Sequence, residues 1–216
     1  MTINTKTLAA IDIGTNAIRL FISNVEEYPT ETLFKKIAFL RVPIRLGEDV
    51  FTTGEIGQQK RKRLCETMQG FSYIMSAFNV ESYKAYATCA MREARNGKSV
   101  AEQIQKECDL NIEIISGTKE AETIFAGGMN EVVDDDKTYL YVDVGGGSTE
   151  VIVYSKSVKI EACSFPLGTV RMLNDAVDKE EMKHFKKWLK NITEKYTPDA
   201  IIGSGGNINK IHKLLN

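Results

Sequence analysis

The sequence is poor in the groups that build several common sites. Only two residues are histidine, His184 and His212, so a zinc centre built on imidazoles is excluded and any metal must rest on carboxylates. The four cysteines, Cys65, Cys89, Cys108 and Cys163, are scattered with no C-x-x-C pair. That pattern argues for reduced thiols in a cytoplasmic setting rather than a disulfide framework. Excess charge of either sign is missing too: 28 Lys and Arg stand against 29 Asp and Glu, a net charge of −1, which excludes a globally basic nucleic-acid binder. No apolar run approaches the roughly 18 residues of a membrane span, and the amino terminus enters a strand-like segment without a secretory pattern. Neither nucleic acid nor a membrane is therefore an expected partner. A Walker phosphate loop is also lacking, because no Gly-Lys-Ser/Thr follows the glycine clusters.

What remains is an ordinary globular composition, 43% hydrophobic and 26% charged over 216 residues, enough for one large or two small domains at about 150 residues each. Two apolar runs, Leu8 to Ile13 and Ile18 to Val25, flank a Gly/Asn turn and predict a β-hairpin. A third strand is expected within Leu33 to Leu46. Apolar residues at helical spacing predict a helix from Glu55 to Phe78. A strand over Tyr83 to Cys89, a helix over Val100 to Cys108, a short strand at Ile112 to Ile115 and a helix over Glu120 to Val132 complete a βββαβαβα order. The pattern then restarts, with strands at Tyr139 to Val144, Val151 to Tyr154 and within Val158 to Phe165. A helix over Lys179 to Tyr196, a strand at Ala200 to Gly203 and a helix from Asn207 follow. Asp143 lies 131 positions after Asp12, and a period this long indicates a duplicated domain. The expected domains are residues 1–125 and 126–216, an α/β architecture of two units. The second unit stops one strand and one helix short of the first, which points to a fragment of a longer protein.

The two Asp-x-Gly turns carry the strongest chemical signal. Glycine lets the backbone approach a phosphate and turn its N–H groups toward it. Gly14, Thr15 and Asn16 form one such candidate row of donors, and Gly145, Gly146, Gly147 and Ser148 the other. Asp12 and Asp143, at the strand ends, are candidate ligands for a divalent cation. Glu150, seven residues after Asp143, can meet it across a hairpin. The alternative reading is a pair of tight hairpin turns, against which two copies at matched positions weigh. Glu120 falls in the first turn of a helix, where a carboxylate either positions or deprotonates a water or merely favours the helix N-terminus. Arg92 and Arg95, after the fourth strand, are fork-shaped donors suited to phosphate oxygens, with one of them expected at the solvated surface. The lysine and arginine runs at 60–63 and 183–190 read as solvated helix faces, with a path for a polyanion as the alternative. Gly203 to Asn207 reads as an anion-binding helix start or a turn capped by Asn207. Ser116 and Lys119 match S-x-x-K spacing, but no S-D-N or K-T-G partner exists.

Taken together, the stretches Asp12–Leu20, Arg45–Glu48, Ala87–Asn96, Ile115–Ala121, Asp143–Glu150, Pro166–Arg171 and Gly203–Asn207 resemble the exopolyphosphatase / guanosine pentaphosphate phosphohydrolase family. This family lies within the actin, sugar-kinase and heat-shock-ATPase superfamily. The superfamily alone accounts for the two Asp-x-Gly turns, while the stretches around Arg92 and Glu120 are specific to the phosphatases. The resemblance implies two ribonuclease-H-like (actin-like ATPase) domains with mixed five-stranded sheets around a cleft, the second incomplete. It implies hydrolysis of terminal phosphoanhydride bonds, with inorganic polyphosphate or guanosine pentaphosphate as substrate. Glu120 matches the catalytic glutamate, Arg92 the phosphate-binding arginine, and Asp143 and Glu150 the metal-binding carboxylates. Mg²⁺ or another divalent cation is the implied cofactor, with K⁺ as a monovalent companion, and a homodimer the implied assembly. Two other classes fit parts of the pattern, an ATP-dependent kinase or ATPase and a non-catalytic polyphosphate- or alarmone-binding module.

Overall fold

Residues 4–126, 134, 136–156 and 158–215 are described by a computed structural model of the chain. Contacts divide it into two compact units, Met1–Ile115 and Ser116–Asn216, a division ahead of the 125/126 boundary expected from the sequence.

In the first unit β1 (Asn4–Ile13), β2 (Ile18–Glu27) and β3 (Thr32–Val42) form an antiparallel meander. They are followed by α1 (Leu46–Thr53), α2 (Gln58–Ala77), β4 (Ser82–Ala87), α3 (Cys89–Glu93), α4 (Gly97–Cys108) and β5 (Glu113–Ile114). β4 pairs parallel to β1 and β5 parallel to β4, giving the sheet order β3-β2-β1-β4-β5. Alternation does the sorting. Ala9, Ile11 and Ile13 on β1 and Ile18, Leu20 and Ile22 on β2 are buried, each large aliphatic contributing about 1.5–3 kcal/mol. Leu64, Met68, Phe71 and Met75 recur at three- and four-residue steps on α2 and join the same core, as do Val100 and Ile104 of α4.

The second unit runs α5 (Gly117–Ala126), β6 (Thr138–Val144), β7 (Thr149–Ser155), β8 (Val158–Phe165), α6 (Thr169–Leu173), α7 (Lys179–Tyr196), β9 (Ala200–Ser204) and α8 (Gly206–Leu215). Its sheet order is β8-β7-β6-β9, with β9 parallel to β6. This repeats the first four positions of the other sheet, as a duplicated ribonuclease-H-like fold requires, and among the described residues it has no fifth strand. β7 is buried along almost its whole length because both faces of the sheet are covered. Ile152 and Tyr154 pack in one cluster with Ala121 of α5; Val151 and Val153 pack in the other with Phe165, Leu167 and Ile192 of α7. Phe165 meets the rings of Phe185 and Trp188 edge-on at 5.0 and 5.4 Å, a favoured aromatic geometry. α5 belongs to this unit because it packs on β7 and β8.

Several boundaries differ from the sequence expectation, and two of them bear on the candidate site residues. The strand expected to reach Cys89 ends at Ala87, and Cys89 opens α3. Ala90 and Met91 are buried as well, so the apolar run continues through a change of element that periodicity alone does not register. The helix expected over 120–132 begins earlier, at Gly117, and its expected continuation through Gly127 and Gly128 lies outside the described residues.

Candidate active site

The two Asp-x-Gly turns close in the same way. In the first, Asp12 faces Arg19 and Ile13 faces Ile18 across the strands, and the Gly14 N–H donates to the Ala17 carbonyl at 3.2 Å. In the second, Asp143 faces Glu150 and Val144 faces Thr149, and the Gly145 N–H donates to the Ser148 carbonyl at 2.9 Å. Each turn is then held from behind by the start of a short helix. The Arg45 and Gly47 N–H groups donate to the Asn16 and Thr15 carbonyls at 2.9 and 3.0 Å. The Thr169 N–H donates to Gly145 O at 3.1 Å, and the Val170 and Arg171 N–H groups donate to Gly146 O at 2.8 and 3.1 Å. Arg171 Nε donates to Gly147 O at 2.9 Å.

These bonds decide where the amides point. In a planar trans peptide the N–H lies opposite the C=O, so three carbonyls fixed toward α6 aim the N–H groups of Gly146, Gly147 and Ser148 the other way. Among the described residues those three amides donate to no protein group. Such a row of like-directed N–H groups is an anion-binding concavity. Gly168 makes the arrangement feasible, since a Cβ there would lie 2.4 Å from the backbone of Gly146 and Gly147.

The carboxylates separate the two turns. Glu150 is 1% exposed and accepts from the hydroxyl of Ser164, its neighbour on β8, at 2.8 Å. Asp143, half-buried, is flanked by the β9–α8 junction. A Cβ on Gly205, where φ is +93°, would sit 2.7 Å from Asp143 Oδ1, so the bare backbone brushes the carboxylate. Asn207 lies within α8 rather than at its cap, so the alternative of a turn capped by Asn207 does not hold; its Nδ2 donates to Val144 O at 3.2 Å. The Tyr141 hydroxyl donates to Ser204 Oγ at 2.6 Å. Burial above all, with the charges of Asp143 and Glu150, pushes its pKa up against the opposing Ser204 bond, so it remains a neutral donor. Asp12 in the first turn is instead ion-paired with Arg19. Two adjacent carboxylate groups suit a hard divalent cation, and Asp143 with Glu150 meet that description. Among the described residues no three His, Cys, Asp or Glu side chains gather as a metal cage.

Arg92 and Glu120 come from neighbouring elements of the chain. The Thr88 N–H donates to Ile13 O at 3.2 Å and the Ile115 N–H to Ala87 O at 3.0 Å, tying the β4–α3 junction into the sheet. Arg92, half-buried on α3, donates through Nη1 to the Ile115 carbonyl at 2.8 Å. Ser116 caps α5, its Oγ accepting from the Lys119 N–H at 3.2 Å. Glu120 is the next residue, half-buried in the first turn and not the cap. Arg95 is the arginine of the pair that serves structure, bonded to Glu55 and to Thr53 O. Lys60 departs from the expected solvated face, since its ammonium group is drawn onto Arg45 O, Glu48 and Asp49.

Sequence reasoning missed Arg19 and Arg171 as contributors. Each lay inside a recognised stretch, but only strand register reveals the first and only the packing of α6 the second. A Leu-Gly pair in each unit, Leu46-Gly47 and Leu167-Gly168, was the available signal for the helix starts that hold the turns.

Two sheets with a shared strand order, each opening on an Asp-x-Gly hairpin, define a duplicated α/β fold. The sequence profile of the Ppx/GppA phosphatase family matches residues 22–209, and the chain belongs to that family. A Ppx/GppA family member from Aquifex aeolicus has a similar structure, with TM-score 0.77 and 27% identity, covering 98% of this chain and 70% of that one. An exopolyphosphatase from Cytophaga hutchinsonii superposes with TM-score 0.84 at 25% identity, covering 97% and 70% of the two chains. Among curated proteins, a bifunctional 3-dehydroquinate synthase/phosphatase of Fusobacterium nucleatum is 32% identical over 168 residues, 76% of this chain and 25% of its own length. Exopolyphosphatase 2 of Mycobacterium tuberculosis is 28% identical over 170 residues, 76% of this chain and 53% of its own length. The chain thus spans from a quarter to under two thirds of the length of the curated relatives it matches.

Proposed function

We propose that this chain hydrolyses the terminal phosphoanhydride bond of inorganic polyphosphate and releases orthophosphate. The observation that carries the reading is the second hairpin, where three outward amides stand at the mouth of a turn whose strands bear Asp143 and Glu150. The family membership and the exopolyphosphatases among the relatives support it. Gly14, Thr15 and Asn16 with Gly145, Gly146, Gly147 and Ser148 hold phosphate oxygens. Asp143 and Glu150 hold Mg²⁺ or a similar divalent ion, which when bound supplies charge neutralisation and orientation for the phosphate. Asp12, the third candidate metal ligand, is engaged by Arg19 and is the weaker candidate for the ion.

In the reaction a water oxygen attacks the terminal phosphorus while the bond to the bridging oxygen breaks, leaving a chain one phosphate shorter. Glu120 positions that water and accepts its proton. Arg92 stabilises the charge gathering on the transferred phosphoryl oxygens. Catalysis is then positioning and electrostatics rather than covalent chemistry. Among the described residues no helix is long and apolar enough to cross a membrane; the free thiols of Cys65, Cys89, Cys108 and Cys163 support a reducing, cytoplasmic setting.

The test is orthophosphate release from long-chain polyphosphate with Mg²⁺ and again with EDTA, beside guanosine pentaphosphate at matched concentration. Metal-dependent release from polyphosphate is expected. Release only from the nucleotide would move the substrate to guanosine pentaphosphate. Tight polyphosphate binding without release would make the chain a binding module and end the hydrolase reading.

A further inference from the structure

We infer that Arg171 is a positioning residue for substrate, through the peptide that joins Gly147 to Ser148. The inference rests on the reading of the second turn as a phosphate cradle. Three carbonyls of that turn are fastened to α6, but by different means. Gly145 O and Gly146 O accept from backbone N–H groups of residues 169–171, bonds that any non-proline side chain at those positions would leave intact. Gly147 O accepts from the Arg171 side chain, through Nε at 2.9 Å. Its peptide plane, and with it the Ser148 N–H, is thus the one whose orientation depends on a particular amino acid. The first hairpin has no counterpart, since the Thr15 and Asn16 carbonyls are both held by backbone N–H groups.

Burial strengthens the argument. Arg171 is 8% exposed, and a guanidinium is kept from water at substantial cost unless its donors are satisfied. A surface residue anchoring a five-residue helix needs no buried cation. A buried charged donor on a carbonyl makes one of the stronger neutral-acceptor bonds available, enough to hold a glycine peptide that would otherwise rotate freely. Released, that peptide is able to swing its carbonyl toward the phosphate, replacing an attractive N–H by a repulsive oxygen. Lysine cannot copy the bond, because its ammonium is a point donor at the end of a longer aliphatic stem and lacks the inner Nε.

The experiment compares wild type, Arg171→Met and Arg171→Lys in the full chain, by two readouts. One is steady-state hydrolysis of long-chain polyphosphate. The other is the ¹⁵N–¹H shift of the Ser148 and Asn16 amides on titration with inorganic phosphate. Loss of one charged hydrogen bond that serves ground state and transition state alike raises KM about tenfold and leaves kcat within about threefold. The phosphate-induced shift is expected to vanish at Ser148 and persist at Asn16 in both variants. Unchanged KM and an unchanged Ser148 shift in a folded variant would overturn the inference, as would equal losses at both amides. If Arg171→Met does not fold, Arg171→Lys decides on the same criteria, and unfolding of both assigns Arg171 to fold stability instead. Wild-type protein that shows the Ser148 shift but releases no phosphate refutes the hydrolase reading alone, and the variants are then judged by the shift. Wild-type protein with no shift at Ser148 refutes the cradle and this inference together.

Discussion

At the end of β1 an aspartate looks across the strands at an arginine; at the matching end of β6 an aspartate looks across at a glutamate. The backbones of the two hairpins agree down to the hydrogen bond that closes each turn, yet one register position reverses their electrostatics. In the first, Asp12 is neutralised within the protein by Arg19, and Arg92 of the same unit adds a positive charge. In the second, Glu150 is buried beside Asp143, and like charges facing each other across a strand pair destabilise it unless a counter-ion intervenes. The lesson is that a duplicated scaffold keeps its turn geometry in both copies while a single side chain, Arg19 or Glu150, decides whether the aspartate is already neutralised. Under the proposed function the first hairpin serves anion binding, and the second also serves a metal.

The largest expected effect breaks that division if it is wrong. Glu120→Gln is predicted to lower kcat for polyphosphate by about 10³-fold with KM little changed, whereas Asn16→Ala raises KM several-fold and spares kcat. Steady-state kinetics on the two variants checks both halves, and a kcat loss confined to Asn16→Ala would reverse the assignment.

A smaller effect sharpens the comparison at Asp143. Gly205→Ala puts a methyl where only 2.7 Å separates it from Asp143 Oδ1, at a φ of +93°. The carboxylate must move, and displaced support of a metal ligand lowers affinity by roughly 10- to 100-fold. Calorimetric titration with Mn²⁺ measures it; wild-type affinity would show that the close approach of Gly205 does not set the metal-binding pose of Asp143.

The smallest test concerns the first unit's core rather than its chemistry. Burial, chiefly, pushes the Cys65 thiol from 9.0 up to about 11, so folding favours its neutral form. The stabilisation is complete below pH 9.0 and declines as pH rises toward about 11. Urea unfolding between these pH values is expected to show falling stability in wild type and a flatter slope in Cys65→Ala. An identical slope in both would exclude Cys65 as the titrating group.

Much of this was legible in the residues. The hairpins announced themselves because apolar runs flank Asp-x-Gly turns, and α2 and α7 because 18 to 20 residues hold a period long enough to see. The helices α1, α3 and α6, of five to eight residues, were hidden because one or two turns leave no period. That Asp143 and Glu150 face each other across the strands is legible from hairpin spacing. The grip of Arg171 on Gly147 was not legible, since it joins residues 24 apart through the landing of α6 on the turn. Arg19 sat in plain view, but its partner depends on register.

The most direct measurement of the account is Mn²⁺ binding, by calorimetry and by the rise in thermal midpoint, on Asp143→Asn and Asp12→Asn beside wild type. A cation bound only by the folded state raises stability in proportion to its occupancy. Asp143→Asn is expected to lose both the binding heat and the thermal shift, while Asp12→Asn keeps most of each. Equal losses in the two variants, or a loss confined to Asp12→Asn, would contradict it.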